Sequence, residues 1–84
     1  MNPEKAFGIT LKKYRGMVCL TQEALAYQCN LDRTYISLLE RGLRRPTLNT
    51  IIVISESLNI KPSEIVQEVE QLLNENNKSE DTGK

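Results

Sequence analysis

Apolar residues recur every three or four positions along most of the chain, and no segment alternates like a β-strand. Phe7, Leu11 and Tyr14 keep this spacing in a first helix, which the pattern predicts over about residues 4–16. Four further helices follow, and each is separated from the next by residues that favour helix ends. The pattern therefore predicts an all-α protein of five helices.

Residues suited to helix ends divide these segments. Three predicted N-caps have side-chain oxygens that can accept free amides of a first helical turn. They are Thr21, Asp32 and Thr47. Asn30 ends the second helix and Gly42 the third, since both tolerate a left-handed backbone. Asn59 ends the fourth helix, and Pro62 suits the first position of the fifth.

Residues 21–42, TQEALAYQCNLDRTYISLLERG, have the spacing of a helix-turn-helix motif. Ala26 is small where the two helices would cross, and Asn30 occupies the tight turn. Ile36 falls on the inward face of the second motif helix and fills the angle between the two. The alternative interpretation is an ordinary helical hairpin in which these three residues are core.

These segments resemble the lambda-repressor-like helix-turn-helix family of phage Cro proteins and repressors, over about residues 7–66. The matching segments are residues 20–26, 36–42, 45–48, 57–60 and 63–66. Residues 30–37, with Glu40 and Arg41, are more similar to the controller proteins of bacterial restriction–modification systems. The resemblance implies a compact five-helix DNA-binding domain with the motif at helices 2 and 3. Asn30 departs from the family's commoner Gly.

The second helix of such a motif lies in the DNA major groove, and its N-terminal residues face base edges. Arg33, Thr34 and Ser37 are the predicted base-reading residues. The planar fork of Arg33 matches the two acceptors of guanine, although a solvated surface arginine is the alternative. Tyr35 is a fourth candidate, for which core packing is an equal interpretation.

Phosphate contacts are predicted on both sides of this helix. Gln22 begins the first motif helix, where its amide and the helix dipole would point to one phosphate. The resemblance implies that the next loop and helix start also flank the DNA backbone. The candidates there are Arg41, Arg44, Arg45, Thr47 and Asn49. The alternative is a loop whose charge serves only solubility. Lys12, Lys13 and Arg15 are expected on the solvated face of the first helix.

Apolar residues on the fourth and fifth helices exceed what one small core needs, which favours a partner surface. The predicted homodimer interface comprises Val53, Val66, Val69 and Leu73. A twofold dimer would present two recognition helices about one DNA turn apart, to a palindromic operator. The alternative is that Val66, Val69 and Leu73 merely cover the core.

Charge is unevenly distributed along the 84 residues, although 11 basic and 11 acidic side chains give a net charge of zero. Residues 1–45 hold eight basic and four acidic residues, whereas residues 46–84 hold three basic and seven acidic residues. The basic half contains the motif, so the neutral total does not argue against a nucleic-acid partner.

Several classes are disfavoured by composition. Without histidine there is no imidazole base or metal ligand, so we expect neither an enzyme nor a metal or other cofactor. The longest aliphatic run, residues 51–54, is far shorter than the roughly 20 residues of a membrane span. Cys19 and Cys29 are expected to be partly buried thiols that fill the core, with a disulfide as the alternative.

Together these features predict one helix-turn-helix and dimerisation domain over residues 1–76, and a disordered polar tail over residues 77–84. The predicted protein is a dimeric, sequence-specific transcriptional regulator in the cytoplasm, associated with the nucleoid. The resemblance implies that it is a controller protein of a restriction–modification system, which binds a near-palindromic operator. Its expected partners are double-stranded DNA and a second copy of the chain, without a membrane or a small-molecule ligand. The alternatives are a phage-type repressor and an antitoxin-like protein-interaction module on the same scaffold.

Overall fold

Five α-helices make up the structure, a computed structural model that describes the backbone of residues 1–82 and the side chains of residues 1–75. They are α1 (Pro3–Met17), α2 (Gln22–Cys29), α3 (Arg33–Glu40), α4 (Leu48–Ser57) and α5 (Pro62–Thr82). No strand occurs in the part of the chain that the structure describes, which confirms the predicted all-α fold. Among these helices, none is long and apolar enough to cross a membrane.

The three predicted N-caps are confirmed, because each side chain accepts a backbone amide from the first turn of its helix. The bonds join Thr21 to Ala24 at 3.0 Å, Asp32 to Thr34 at 3.2 Å, and Thr47 to Thr50 at 3.1 Å. Thr21 and Asp32 thereby set where the two motif helices begin. The position of each candidate DNA-facing residue along α2 and α3 follows from these caps.

Left-handed residues follow four of the helices. Asn30 has a φ of 55°, Gly42 of 74° and Asn59 of 58°. Cys19, with a φ of 58°, follows α1 in the same way, although Cys is not a residue that favours this conformation. In each case the amide one residue later reaches back to the last helical turn, as Leu31 does to the Ala26 carbonyl at 2.8 Å.

The two cysteines differ in their surroundings. Cys29 is buried in the core, as expected, and its Sγ lies 3.3 Å from Ser57 Oγ. Cys19 is exposed, so its expected role as core filler is wrong. Cys19 lies in the left-handed turn after α1, outside the core cluster. Both thiols are free.

The core is shared by all five helices. Helix α1 packs against α3 and α5, α2 against α3 and α4, and α4 against α5. The core residues are Phe7, Leu11, Leu25, Ala26, Cys29, Ile36, Leu39, Ile54, Leu58 and Ile65. Ala26 and Ile36 are buried on either side of the left-handed Asn30, so the predicted helix-turn-helix is confirmed.

Helix α1 crosses the end of α3 at Gly8. A Cβ atom at Gly8 would lie 2.5 Å from the carbonyl oxygens of Leu39 and Glu40, closer than real Cβ contacts allow. Glycine is therefore required at this crossing because it lets the two backbones touch. The crossing holds the C-terminal end of α3.

Helix α5 continues through Asn74 and Glu75, where the sequence has already become polar. The segment contains no glycine or proline that would end a helix at that point. The tail predicted at residues 77–84 lies outside the residues whose side chains are described. That tail and the domain boundary at residue 76 stay predictions.

Candidate nucleic-acid interface

The first turn of α3 presents two of the predicted base-reading side chains. Arg33 and Thr34 are exposed at the first and second positions of the helix, directly after the Asp32 cap. Ser37 lies one turn after Arg33 on the same side of the helix and is partly buried. Arg33 has no ion-pair partner among the described residues, so its guanidinium is available to a ligand.

Tyr35 occupies a different face of α3. It is partly buried and packs against the hydrophobic core, together with neighbours from other helices. This packing matches the core interpretation of Tyr35. A base contact by the part of the ring that remains exposed stays a prediction.

The loop after α3 carries three arginines in two different states. Arg41 and Arg44 are exposed and have no carboxylate partner among the described side chains. Arg45 donates from Nε to Glu4 Oε2 at 2.6 Å, on the N-terminal turn of α1, although its side chain is 88% exposed. A bond from its own backbone amide, and then the Arg45 guanidinium, hold the pKa of Glu4 below its ordinary value. A phosphate contact by Arg45 would therefore compete with Glu4.

The start of α4 supplies two more predicted phosphate contacts. The Thr47 hydroxyl accepts the amide of Thr50 and lies 2.9 Å from the Thr50 hydroxyl, to which it donates. Asn49 is exposed in the first turn of α4 and has no such partner within the described residues. Thr47 therefore already uses its hydroxyl to begin the helix, whereas the Asn49 amide is available.

Gln22, the first residue of α2, joins a buried charge cluster. Its Nε2 donates to Glu40 Oε1 at 3.0 Å, at the end of α3. Arg15 donates to the same carboxylate, from Nε to Oε2 at 2.6 Å and from Nη2 to Oε1 at 3.0 Å. These hydrogen bonds raise the pKa of Arg15.

The expectation that Arg15 lies on a solvated face is wrong, since its side chain is only 16% exposed. Helical spacing alone places Arg15 beside other polar residues of α1. The buried Glu40, from a helix 25 positions later in the chain, draws the guanidinium inward. Arg15 is therefore part of the link between helices rather than of the solvated surface.

The predicted dimer residues are unequally exposed. Val66 on α5 is 50% exposed, whereas Val53, Val69 and Leu73 are partly buried. Val53 and Val69 pack against the core, as the alternative interpretation of Val69 requires. Val66 and Val69 also line a shallow groove of about 330 Å³. Its other lining residues are Pro3, Glu4, Phe7, Arg45, Pro46 and Ile51.

Two exposed apolar residues of α4 were missing from the predicted interface. Leu48 is 71% exposed and Ile52 is 37% exposed, one helical turn apart. Their four-residue spacing would also suit a buried stripe of α4. In the structure the buried residues of α4 are Thr50, Ile54 and Ser55, followed by the buried Leu58 directly after the helix.

The helix-turn-helix family matches residues 11–65 of the chain. The chain belongs to this family. Control protein C.MunI from Mycoplasma sp is 42% identical over 66 residues, which cover 77% of this chain and 89% of the relative. Control protein C.BamHI from Bacillus amyloliquefaciens is 45% identical over 47 residues, which cover 56% of this chain and 58% of the relative. The predicted resemblance to restriction–modification controllers is confirmed.

A solved structure of the same class also matches the fold. It is the restriction–modification controller protein C.Esp1396I, a tetramer in complex with its natural 35 base-pair operator. Its TM-score is 0.71 at 33% sequence identity, and the match covers 82% of this chain and 96% of that one. The fold, the motif and the family therefore agree on the same region of the chain.

Proposed function

We propose that this chain is a controller protein of a restriction–modification system, a transcriptional regulator that binds a near-palindromic operator as a homodimer. The main support for this proposal is the exposed start of α3. The recognition helix of a confirmed helix-turn-helix begins with exposed Arg33 and Thr34, and Arg33 has no carboxylate partner among the described residues. A relative that is 42% identical over 77% of this chain is named a control protein.

Charge around α3 supports DNA as the ligand. Arg33, Arg41 and Arg44 lie on the recognition helix or directly after it, and none has an ion pair within the described residues. Unpaired arginines attract the polyanionic backbone and release its counterions on binding. The Arg33 fork then reads a guanine edge, while Thr34 and Ser37 accept, donate or pack against neighbouring bases.

A second copy of the chain completes the interface. One α3 helix covers only a half-site, and twofold symmetry in the protein requires twofold symmetry in the operator. Val66 supplies exposed apolar surface on α5, and Leu48 and Ile52 supply more on α4. The similar controller C.Esp1396I binds its operator as a tetramer, which supports assembly of several copies on DNA.

The proposed regulator acts in the cytoplasm, on DNA of the nucleoid. Its action consists of binding and release alone, so the proposal includes no catalytic step. Neither a cofactor nor a small-molecule ligand enters it. The antitoxin-like alternative differs in one measurable respect, because a protein-interaction module has no preferred DNA sequence.

The test is selection of bound duplexes from a randomised DNA pool by the purified full chain. We expect enrichment of one sequence with approximate twofold symmetry. Its affinity should fall steeply as salt concentration rises, because phosphate contacts release counterions. Enrichment of no sequence would contradict the proposal and leave the protein-interaction module as the better interpretation. An enriched sequence without symmetry would contradict the dimer.

A further inference from the structure

We infer that Glu40 is a positioning residue for DNA binding, because it holds the Gln22 amide in one orientation at the start of α2. The inference rests on the proposed function. It identifies the side chain that orients Gln22 for one phosphate contact of the proposed interface. The Glu40 side chain is only 3% exposed, so it would act on DNA through Gln22 rather than by contact.

Glu40 is the acceptor of three hydrogen bonds from two helices. Arg15 on α1 makes two of them, at 2.6 and 3.0 Å, and Gln22 on α2 makes the third at 3.0 Å. The remaining Arg15 nitrogen, Nη1, donates to the Leu20 carbonyl at 2.8 Å, two residues before Gln22. The Arg15–Glu40 pair thus ties the end of α1, the turn after it, the start of α2 and the end of α3.

The charge of Glu40 is satisfied without Gln22. A buried carboxylate is costly unless it is paired, and the two-pronged contact with Arg15 supplies that pairing. No buried side-chain nitrogen or oxygen among the described residues lacks a hydrogen-bond partner. The bond from Gln22 is therefore free to serve another purpose, which is to restrain a side chain that is itself only partly buried.

An ionised carboxylate accepts hydrogen bonds and cannot donate them. Glu40 therefore selects the orientation of Gln22 in which the NH₂ group, rather than the carbonyl oxygen, faces it. One hydrogen of Nε2 goes to Glu40, and the second remains for a ligand. The amides of Gln22 and Glu23 lie beside it and have no partner within the helix, whereas the Ala24 amide is taken by the Thr21 cap. Together these donors would meet one phosphate at the positive end of the α2 dipole.

The test compares two substitutions of Glu40, first with Gln22 present and then with Gln22 replaced by alanine. Glu40→Gln keeps an oxygen that can accept from Gln22, whereas Glu40→Ala removes the acceptor. Affinity is measured for the duplex that the wild-type chain enriches, and for an unrelated duplex. We expect Glu40→Ala to weaken both about tenfold, as for loss of a hydrogen bond to a charged group. Glu40→Gln should recover most of that affinity.

The decisive comparison repeats the measurement after Gln22→Ala has been added to each of the two Glu40 variants. If Glu40 acts through the Gln22 amide, the difference between Glu40→Ala and Glu40→Gln disappears in that background. A difference that persists would overturn the inference, because Glu40 would then act through the fold alone. If the wild-type chain enriches no duplex, the proposed function itself fails and the inference falls with it.

Stability is controlled separately. All affinities are measured at a temperature where circular dichroism shows every variant to be folded. Ile54→Val, which removes one methyl group from a fully buried position outside this cluster, should lower stability without changing affinity. If Glu40→Ala does not fold, Glu40→Asp replaces it, because the shorter carboxylate keeps its charge for Arg15 and withdraws from Gln22.

Discussion

At the scale of a single residue, the backbone angle of Cys19 affects the stability of the fold. Its backbone is left-handed at the end of α1. The left-handed residues that follow the other helices of the described chain are Asn or Gly. A side chain with a Cβ atom costs roughly 1–2 kcal/mol in this conformation, and Cys lacks the polar group that helps Asn. Its side chain is exposed, so packing does not offset that cost.

Cys19→Gly should therefore raise the free energy of unfolding by about 1 kcal/mol, measured by chemical denaturation. Cys19→Ala is the matched control, because it removes the thiol and keeps the Cβ atom. We expect the stability of that variant to stay close to wild type. Equal gains from both variants would assign the effect to the thiol and contradict the role of the backbone.

Substitutions of Arg33 and Arg44 should distinguish base recognition from phosphate binding. Arg33→Ala should cost about 1–3 kcal/mol of binding and relax the preference at one base pair. Arg44→Ala should weaken all sequences alike and reduce the salt slope by about one. The measurement is affinity across single-base variants of the selected duplex, at several salt concentrations.

Lys61→Ala is the matched control for these arginines, since it removes an exposed cation from the acidic half of the chain. It should leave both the affinity and the salt slope unchanged. Equal losses for Arg33→Ala on selected and unrelated DNA would show that Arg33 binds phosphate rather than a base.

At the scale of elements, the crossing of α1 and α3 decides how the recognition helix is held. The two backbones touch at Gly8, and the Arg15–Glu40 pair joins the same two helices about two turns further along α1. Helix α3 is only eight residues long, so its orientation depends on these contacts and on α2. Packing of α1 would thus determine how α3 is presented to DNA in the proposed regulator.

Gly8→Ala should lower the free energy of unfolding by about 1–3 kcal/mol, because a Cβ atom there meets backbone oxygens that must move. Gly16→Ala is the matched control in the same helix. Nothing lies within 4 Å of its added Cβ atom, so it should raise stability by about 0.5–1 kcal/mol. Thermal denaturation of both variants checks the pair, and a neutral Gly8→Ala would contradict the close crossing.

For the whole molecule, two surfaces of different character follow from the fold. Unpaired arginines cluster on α3 and the loop after it, and exposed apolar side chains remain on α4 and α5. The basic half of the chain contains the first surface and the acidic half contains the second. In the proposed dimer, this separation would let one copy bind another while both present α3 to DNA.

Val66→Glu should convert the proposed dimer into a monomer, because it places a charge in an apolar contact. The monomer should stay folded, since half of the Val66 side chain is already exposed. Gln67→Glu adds the same charge at the exposed neighbouring position and should leave the dimer intact. Analytical ultracentrifugation distinguishes the species, and an unchanged mass for Val66→Glu would exclude this face from the interface.

Local features of the chain were predictable because their causes are local. The Thr21 and Asp32 caps and the left-handed Asn30 depend on bonds to residues a few positions away. Helical spacing likewise placed Ala26 and Ile36 in the core. The sequence alone therefore determined the five helices, the motif and the exposed start of α3.

The tertiary structure decided which charged groups remain unpaired and which apolar groups remain exposed, and so which can contact a ligand or partner. Arg45 meets Glu4 across 41 positions and Arg15 meets Glu40 across 25, so helical spacing cannot distinguish these arginines from Arg44. In the same way, the packing of α4 left Leu48 exposed although its spacing fits a core stripe. Charge pairing and burial depend on which distant segments meet, and only the packed fold establishes that.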